Sequence, residues 1–232
     1  MRKISTTGCH MQGLQTIQRM LPWRLRERIR DLADTVLANQ RAERHTVHLD
    51  VRAVDDEYTR GRWDYLGHLP EMARYAVISG YCTYGDDVST VLDLGCGAGV
   101  LHRWLRPLGL VRYVGVDVSS VAIEAAKREW QDAATTFVAM DVAAYLPDRK
   151  FDVIVFNEVL YYFERPDEIL KRFADYLEEN GRFAISLWDS PESRLAWRRS
   201  RGSIHVVDEV RVCHRSGVSW QIRLCRPRVS TH

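Results

Sequence analysis

At 232 residues the chain is long enough for one large domain with appendages, and 46% hydrophobic with 28% charged residues is ordinary for a globular protein. A net charge of +2 excludes a global pull toward nucleic acid or a membrane surface, and no run of ~18 apolar residues is present to span a bilayer. The five cysteines (Cys9, Cys82, Cys96, Cys213 and Cys225) are scattered and lack C-x-x-C spacing, which speaks against a metal site and for reduced thiols. With no apolar signal core in residues 1–18, a cytoplasmic location is expected.

In chain order, residues 1–20 are polar and without period and read as a loose tail. Residues 21–87 read as an N-terminal helical and lid segment. Within it Leu25, Ile29, Leu32 and Val36 lie at helical spacing after Pro22. The segment from Pro70 is also helical in pattern, with Met72, Ala73, Ala76 and Val77 on one side. Two arginine clusters, at Arg24, Arg26, Arg28 and Arg30 and at Arg198, Arg199 and Arg201, read as solvated helix faces.

From Val88 to the end at residue 232 the pattern is that of a core domain. Short apolar runs at 90–95, 112–117, 135–141, 151–157 and 182–188 alternate with helical segments. One helix carries Leu101, Trp104, Leu105 and Leu108 in register; one covers 119–130 with Glu124 and Arg128 as an i,i+4 pair. A third starts at Pro166, with acids in its first turn and Gly181 as its stop. Continuous apolar strands joined by helices imply a parallel sheet covered on both faces. The last two runs flank Ser216-Gly217 and partly alternate, which predicts an antiparallel hairpin. The expected architecture is a doubly wound α/β fold with a mostly parallel, seven-stranded, Rossmann-like sheet.

In such a sheet, ligands bind at the carboxyl ends of the strands. There the first run reads V-L-D-L-G-C-G-A-G, with Asp93 followed by Gly95, Gly97 and Gly99. Glycines let backbone approach a ligand and turn sharply. A dinucleotide loop would need glycine at position 100, which is Val100. A carboxylate at the loop mouth repels pyrophosphate and suits a cationic ligand. Asp117 ends the second strand 24 residues after Asp93, where it can accept from ribose hydroxyls, and Asp141 ends the third after the same interval. An acid at Asp141 can accept from an adenine amino group while Val142 packs on the ring. A cationic adenosine compound without phosphates, S-adenosylmethionine, suits all three.

The ordered set "VLDLGCGAG", "VGVDVS", "MDV" and "FDVIVFNEVLYYF" resembles the motifs of class I S-adenosylmethionine-dependent methyltransferases from about Val88 to Trp188. The resemblance implies that Asp93, Gly95, Cys96 and Gly97 border the methionine part of the cofactor. It places Asp117 at the ribose, with Val118 in the same cofactor-binding set, and Asp141 and Val142 at the adenine. Asn157 and Glu158 fall beside the methyl group. "YTRGRWDYL" resembles the lid of small-molecule members, so Tyr58, Arg60 and Trp63 are expected over the methionine end. A guanidinium suits its carboxylate and an aromatic face suits its sulfonium.

Glu158 and His205 are the candidate general bases, with Tyr161 and Tyr162 as candidate walls of the acceptor pocket. His205 sits between the fifth strand and the hairpin, where acceptor-side loops are expected. No metal is called for. Without a basic stripe or interleaved aromatics, a small-molecule acceptor is favoured, such as a saccharide or specialised-metabolite hydroxyl, with oxygen slightly ahead of nitrogen. The competing readings are a nucleic-acid methyltransferase using the arginine clusters and a non-catalytic cofactor-binding subunit. The sequence leaves the oligomeric state open between monomer and homodimer.

Overall fold

The computed structural model describes residues 50–85, 88–109 and 112–228. The loose tail, the helix pattern at 25–36 and the cluster at Arg24–Arg30 lie outside the described residues. The elements in order are α1 (Val51–Thr59), a 3-10 turn (Asp64–Gly67), α2 (Leu69–Thr83), β1 (Thr90–Leu94), α3 (Val100–Leu105), β2 (Arg112–Asp117), α4 (Ser120–Trp130) and β3 (Thr135–Ala139). There follow β4 (Phe151–Asn157), a 3-10 turn (Leu160–Tyr162), α5 (Pro166–Ala174), β5 (Leu177–Trp188), α6 (Pro191–Ser200), β6 (Ile204–Cys213) and β7 (Ser219–Pro227).

The strands form one seven-stranded sheet in the order β3-β2-β1-β4-β5-β7-β6. β1 to β5 run parallel, while β7 is antiparallel to both β5 and β6. The expected doubly wound α/β sheet with a terminal antiparallel hairpin is therefore present. Strand order reverses between β1 and β4, and that switch opens the cleft in which such folds bind ligands. Asp152 fixes the register there from the far end. One carboxylate oxygen accepts from the Ser89 and Thr90 backbone N–H groups at 3.0 and 2.9 Å.

Alternation along the strands splits the core. Leu92, Leu94, Ile154, Phe156, Phe183 and Ile185 face one side, with Phe173 of α5 and Trp197 of α6. Val91, Val153, Val155 and Ala184 face the other, with Tyr75 and Ile78 of α2, Leu101 of α3 and Ile123 of α4. Asp93 shares this second side, because it alternates with Leu92 and Leu94. Among the described residues, no helix is long and apolar enough to cross a membrane.

Three expectations are corrected. α5 stops at Ala174 rather than at Gly181, because Leu177 already pairs with Phe151 and the chain then bulges before Arg182 pairs with Val153. A side chain at Gly181 would strike the Glu178 backbone at 2.9 Å, so this glycine serves a tight bulge and not a helix stop. Glu124 pairs with Lys127 at 3.1 Å instead of Arg128. On α2 the expected apolar face is the outer one. Met72, Ala73 and Ala76 are exposed and only Val77 of that face packs on the core, half-buried, whereas Glu71, Arg74, Tyr75 and Ile78 are buried. The helix turns a polar pair inward because that pair has partners in the cleft, described below.

Candidate active site

The glycine loop after β1 holds three consecutive alternate residues in the left-handed region, with φ of 79° at Gly95, 53° at Gly97 and 80° at Gly99. Any other residue type would be strained there. Space is also exhausted, since a Cβ on Gly97 would lie 2.6 Å from the Tyr58 hydroxyl and one on Gly95 would lie 2.8 Å from Val159. The loop therefore touches the end of α1 on one side and the segment after β4 on the other.

Asp117, at the tip of β2, is buried and holds this loop. Its carboxylate accepts from the Gly97 N–H at 2.8 Å and from the Ser119 N–H at 2.9 Å. Burial raises its pKa, and the two backbone donors oppose that rise. Asp93 is 1% exposed. One of its oxygens accepts from the Tyr113 hydroxyl at 2.6 Å, and the other has no partner among the described residues. Burial lifts its pKa to about 7, against the Tyr113 hydrogen bond and the Arg74 charge. Cys96 is buried, with its sulfur where a side chain on Gly115 would otherwise sit.

Past β3, exposed Asp141 accepts from the Ala143 N–H at 2.7 Å, and Val142 is buried. Arg172 of α5 pins this turn by donating to the Val142 carbonyl at 2.6 Å and to the Ala143 carbonyl. Val118, half-buried, follows Asp117, whose carbonyl accepts from Met140 N–H at 2.8 Å. The tips of β2 and β3 are thereby tied side by side.

The lid residues divide. Tyr58 stands over Gly97 and stacks on Trp63 with ring centroids 5.6 Å apart, and Trp63 stacks on Tyr65 at 6.2 Å. The Trp63 indole N–H is buried without a partner among the described residues. Arg60 is not brought to the loop: it points outward into a largely exposed pair with Asp56 at 3.0 Å. What holds α1 in place is Asp55, a residue the sequence did not single out. Its carboxylate accepts from Ser119 Oγ at 2.5 Å, Ser120 Oγ at 3.0 Å and the Val121 N–H at 3.3 Å, capping the first turn of α4.

That latch gives a prediction. The Ser119 hydrogen bond holds the Asp55 carboxyl below its usual range. A lowered folded pKa means the contribution is in force above the ordinary carboxylate pKa and fails only as pH falls below it. At neutral pH, Asp55→Ala is therefore expected to leave the melting temperature of the sheet almost unchanged. It should make α1 cleave several-fold faster in limited proteolysis. Equal cleavage of the two proteins would show that Asp55 does not hold the lid.

The segment after β4 brings one more carboxylate to the cleft. Glu158 has φ of 60°, the single non-glycine residue in the left-handed region among those described. Such strain costs on the order of 1–3 kcal/mol and tends to persist at functional sites. One oxygen accepts from Ser186 Oγ at 3.3 Å and the other from the Trp188 N–H at 3.1 Å. Burial pushes its pKa to about 7, although the Arg74 charge and these donors pull it down. Burial also raises the pKa of Tyr161 and Tyr65, with the Glu158 charge adding to it, so both rings share the glutamate's surroundings.

Arg74 and Glu71 are the buried residues that sequence reasoning missed. Arg74 is 1% exposed and donates to Glu71 at 2.6 and 3.1 Å and to the Asn157 side-chain oxygen. Its guanidinium also lies 4.5 Å from the Tyr75 ring centroid and 5.6 Å from that of Trp220. A charge so buried needs this complete set of partners. Their i,i+3 spacing reads from sequence only as an ordinary surface pair.

His205 is corrected. It is the second residue of β6, exposed and paired with Arg226, whereas β5 ends at Trp188 opposite Trp220, which pairs with Val212 near the other end of β6. The histidine therefore sits at the opposite end of the sheet from Asp117 and Asn157. The stretch before it is no acceptor loop either: most of it is α6, packed on α5 and on the turn at Leu160–Tyr162.

A family model described as a methyltransferase domain matches residues 25–220. Trans-aconitate 2-methyltransferase of Azoarcus sp. (strain BH72) is 29% identical over 153 residues, covering 60% of this chain and 51% of that one. Nodulation protein S of Bradyrhizobium diazoefficiens is 34% identical over 111 residues, covering 47% and 50%. The chain thus spans about half the length of the curated relatives it matches. Among solved structures, the N-methyltransferase NodS of Bradyrhizobium japonicum WM9 with S-adenosyl-L-homocysteine superposes with a TM-score of 0.61 at 21% identity, over 82% of this chain and 98% of that one. The 1,6-didemethyltoxoflavin-N1-methyltransferase of Burkholderia thailandensis gives 0.62 at 20% identity, over 77% and 87%.

Proposed function

The chain belongs to the methyltransferase-domain family of class I, S-adenosylmethionine-dependent fold, and on that premise we propose that it methylates a hydroxyl group of a small molecule, a saccharide or a specialised metabolite. The residues present fit the methyl donor. Asp93 keeps one buried carboxylate oxygen without a partner among the described residues, beside a loop whose three glycines take left-handed turns and present backbone rather than side chains. The anionic set of Asp93, Asp117 and Asp141 suits an ammonium and neutral hydroxyl and amino groups, and disfavours phosphate. Asp93, Gly95, Cys96 and Gly97 would hold its methionine end, with Tyr58 and Trp63 above. Asp117 and Val118 would hold the ribose, and Asp141 with Val142 the adenine.

Bound there, the donor would supply a methyl on a sulfonium, transferred as an acceptor oxygen's lone pair forms the O–C bond and the C–S pair leaves on the thioether sulfur. The protein must align the acceptor, which can supply ~7–11 kcal/mol, and take the hydroxyl proton. The observation that carries the reading is Glu158, on a strained left-handed backbone turn after β4, its carboxylate bonded to Ser186 and the Trp188 N–H, with a pKa raised to about 7 and within electrostatic reach of Tyr65, Tyr161 and Tyr162. A base near the working pH is the efficient choice for removing a hydroxyl proton. Its Oε atoms would receive the proton as the bond to oxygen forms.

An anionic acceptor fits less well. Arg74 is committed to Glu71 and Asn157, so a substrate carboxylate would meet Glu158 without a spare cation from it. Two experiments test the reading. Calorimetric titration should show binding of S-adenosylhomocysteine and little affinity for NAD; the reverse would refute the cofactor assignment. Methyl transfer should appear with saccharides or hydroxylated metabolites and not with tRNA in a labelled-donor panel; labelling of tRNA alone would replace the small-molecule reading with the nucleic-acid one.

A further inference from the structure

Asn157 ends β4 on the same side of the sheet as Asp93, two register positions nearer the cleft, because Asp93 pairs with Val155. Its side-chain oxygen accepts from Arg74. A guanidinium has five donors and no acceptor, so the amide can meet it only through Oδ1. The orientation of this amide is thus chemically forced rather than open to a flip. Arg74 itself cannot swing away. It is 1% exposed, with Glu71 held through both Nε and Nη2 and aromatic rings of Tyr75 and Trp220 beside it. Asn157 Nδ2 is left with two N–H groups, neither donating to any described residue, on a half-buried side chain at the cleft.

We propose that Arg74 is a positioning residue that turns Asn157 into a hydrogen-bond donor toward the acceptor atom, and that the Asn157–Glu158 pair thereby selects a hydroxyl over an amine. This rests on the function proposed above. A hydroxyl uses both partners. Its proton goes to the Glu158 carboxylate while its oxygen keeps a lone pair to accept from Asn157 Nδ2. That donor also stabilises the negative charge that grows on oxygen as the proton leaves. An amine acceptor has N–H groups to place and a single lone pair, which the methyl transfer itself needs. It would find Nδ2 competing for that lone pair and no side-chain oxygen from Asn157 to accept its protons.

The test is Asn157→Asp, close in shape and still able to accept from Arg74, assayed with matched acceptors. Glucose against glucosamine and catechol against 2-aminophenol serve as probes, with labelled methyl donor and product analysis locating the methyl on oxygen or nitrogen. The wild type should methylate the hydroxyl of a pair. In the variant, kcat for that hydroxyl should fall about 100-fold while the affinity for S-adenosylhomocysteine stays within about threefold. The ratio of N- to O-methylation should rise. A wild type that prefers the amine, or a variant with undiminished O-methylation, overturns the proposal.

A second variant and a direct readout keep it testable. The double change Glu71→Met with Arg74→Met removes the buried pair together, avoiding an orphaned charge, and frees the amide to flip. It should lose selectivity between oxygen and nitrogen more than it loses cofactor affinity; loss of melting temperature with selectivity intact would assign Arg74 a structural role only. In the wild type bound to S-adenosylhomocysteine, the Asn157 amide protons, identified by their disappearance in Asn157→Asp, should show NMR contacts to the bound ligand. Contacts to the Arg74 guanidinium instead would overturn the orientation. Turnover of no member of the panel, with those contacts present, would refute the acceptor class proposed above and leave the orientation of Asn157 standing.

Discussion

Asp117→Ala is expected to weaken binding of S-adenosylhomocysteine by roughly 100-fold, or about 3 kcal/mol, because each hydrogen bond to a charged acceptor is worth about 1.5–3 kcal/mol and a ribose offers two hydroxyls. The alanine also releases the Gly97 and Ser119 N–H groups that the carboxylate now holds. The glycine loop would lose its anchor to the tip of β2 in the same change, so the loss should sit at the upper end. Asp141→Ala makes the comparison: that carboxylate is exposed and already accepts from the Ala143 N–H, so a few-fold loss is expected. Calorimetric titration of both variants at pH 7.5 checks this, with melting temperatures to confirm folding. An Asp117→Ala protein that binds within about threefold of wild type would mean that the ribose does not meet this strand tip.

What the sequence made legible is what local chemistry dictates. Three glycines at alternate positions after a strand announced the left-handed turns that Gly95, Gly97 and Gly99 adopt. Carboxylates at equal intervals announced strand tips, and Asp93 and Asp117 do lie at adjacent tips of β1 and β2. Tyr58, expected over the methionine end of the cofactor from its resemblance to a lid, has its hydroxyl against Gly97 of the loop. Illegible were features decided by packing across the fold. The inward face of α2 carries Arg74 and Glu71, against the apolar rule, because Asn157, Tyr75 and Trp220 supply partners from distant parts of the chain. His205 looked close to the acceptor loops in sequence, yet strand direction carries it to the far end of the sheet. Asp55 looked like one of several acids in a polar stretch, and its role depends on α4 arriving beside it. Arg60 shows the same limit in reverse: its spacing suited a lid residue, but α1 turns it toward Asp56 and solvent.

Glu158→Gln is expected to have the largest effect on the chemical step, lowering kcat by about 100- to 10,000-fold, the range spanned by a positioned general base. The amide fits the same space: its oxygen can accept from the Trp188 N–H while its NH2 group donates to the Ser186 hydroxyl oxygen, so the left-handed turn and the fold should persist. The pH dependence separates a base from a structural acid. Burial raises the Glu158 pKa to about 7, so the carboxylate is protonated and idle below that value. The wild-type rate should rise tenfold per pH unit up to about 7 and then level off, whereas the Gln variant should be slow and flat across that window. Stability runs the other way. A carboxyl whose pKa is raised by folding contributes most below its ordinary pKa, and that contribution is lost as pH climbs through about 7. The neutral amide escapes this loss, so at pH 8 the variant should melt no lower than the wild type. A Gln variant with a wild-type rate and an unchanged pH profile would show that Glu158 takes no proton. The acceptor would then be a nucleophile that needs no base, an amine or an oxygen already ionised, and the strain at Glu158 would serve only to place its neighbours Asn157 and Val159 against the arginine and the glycine loop.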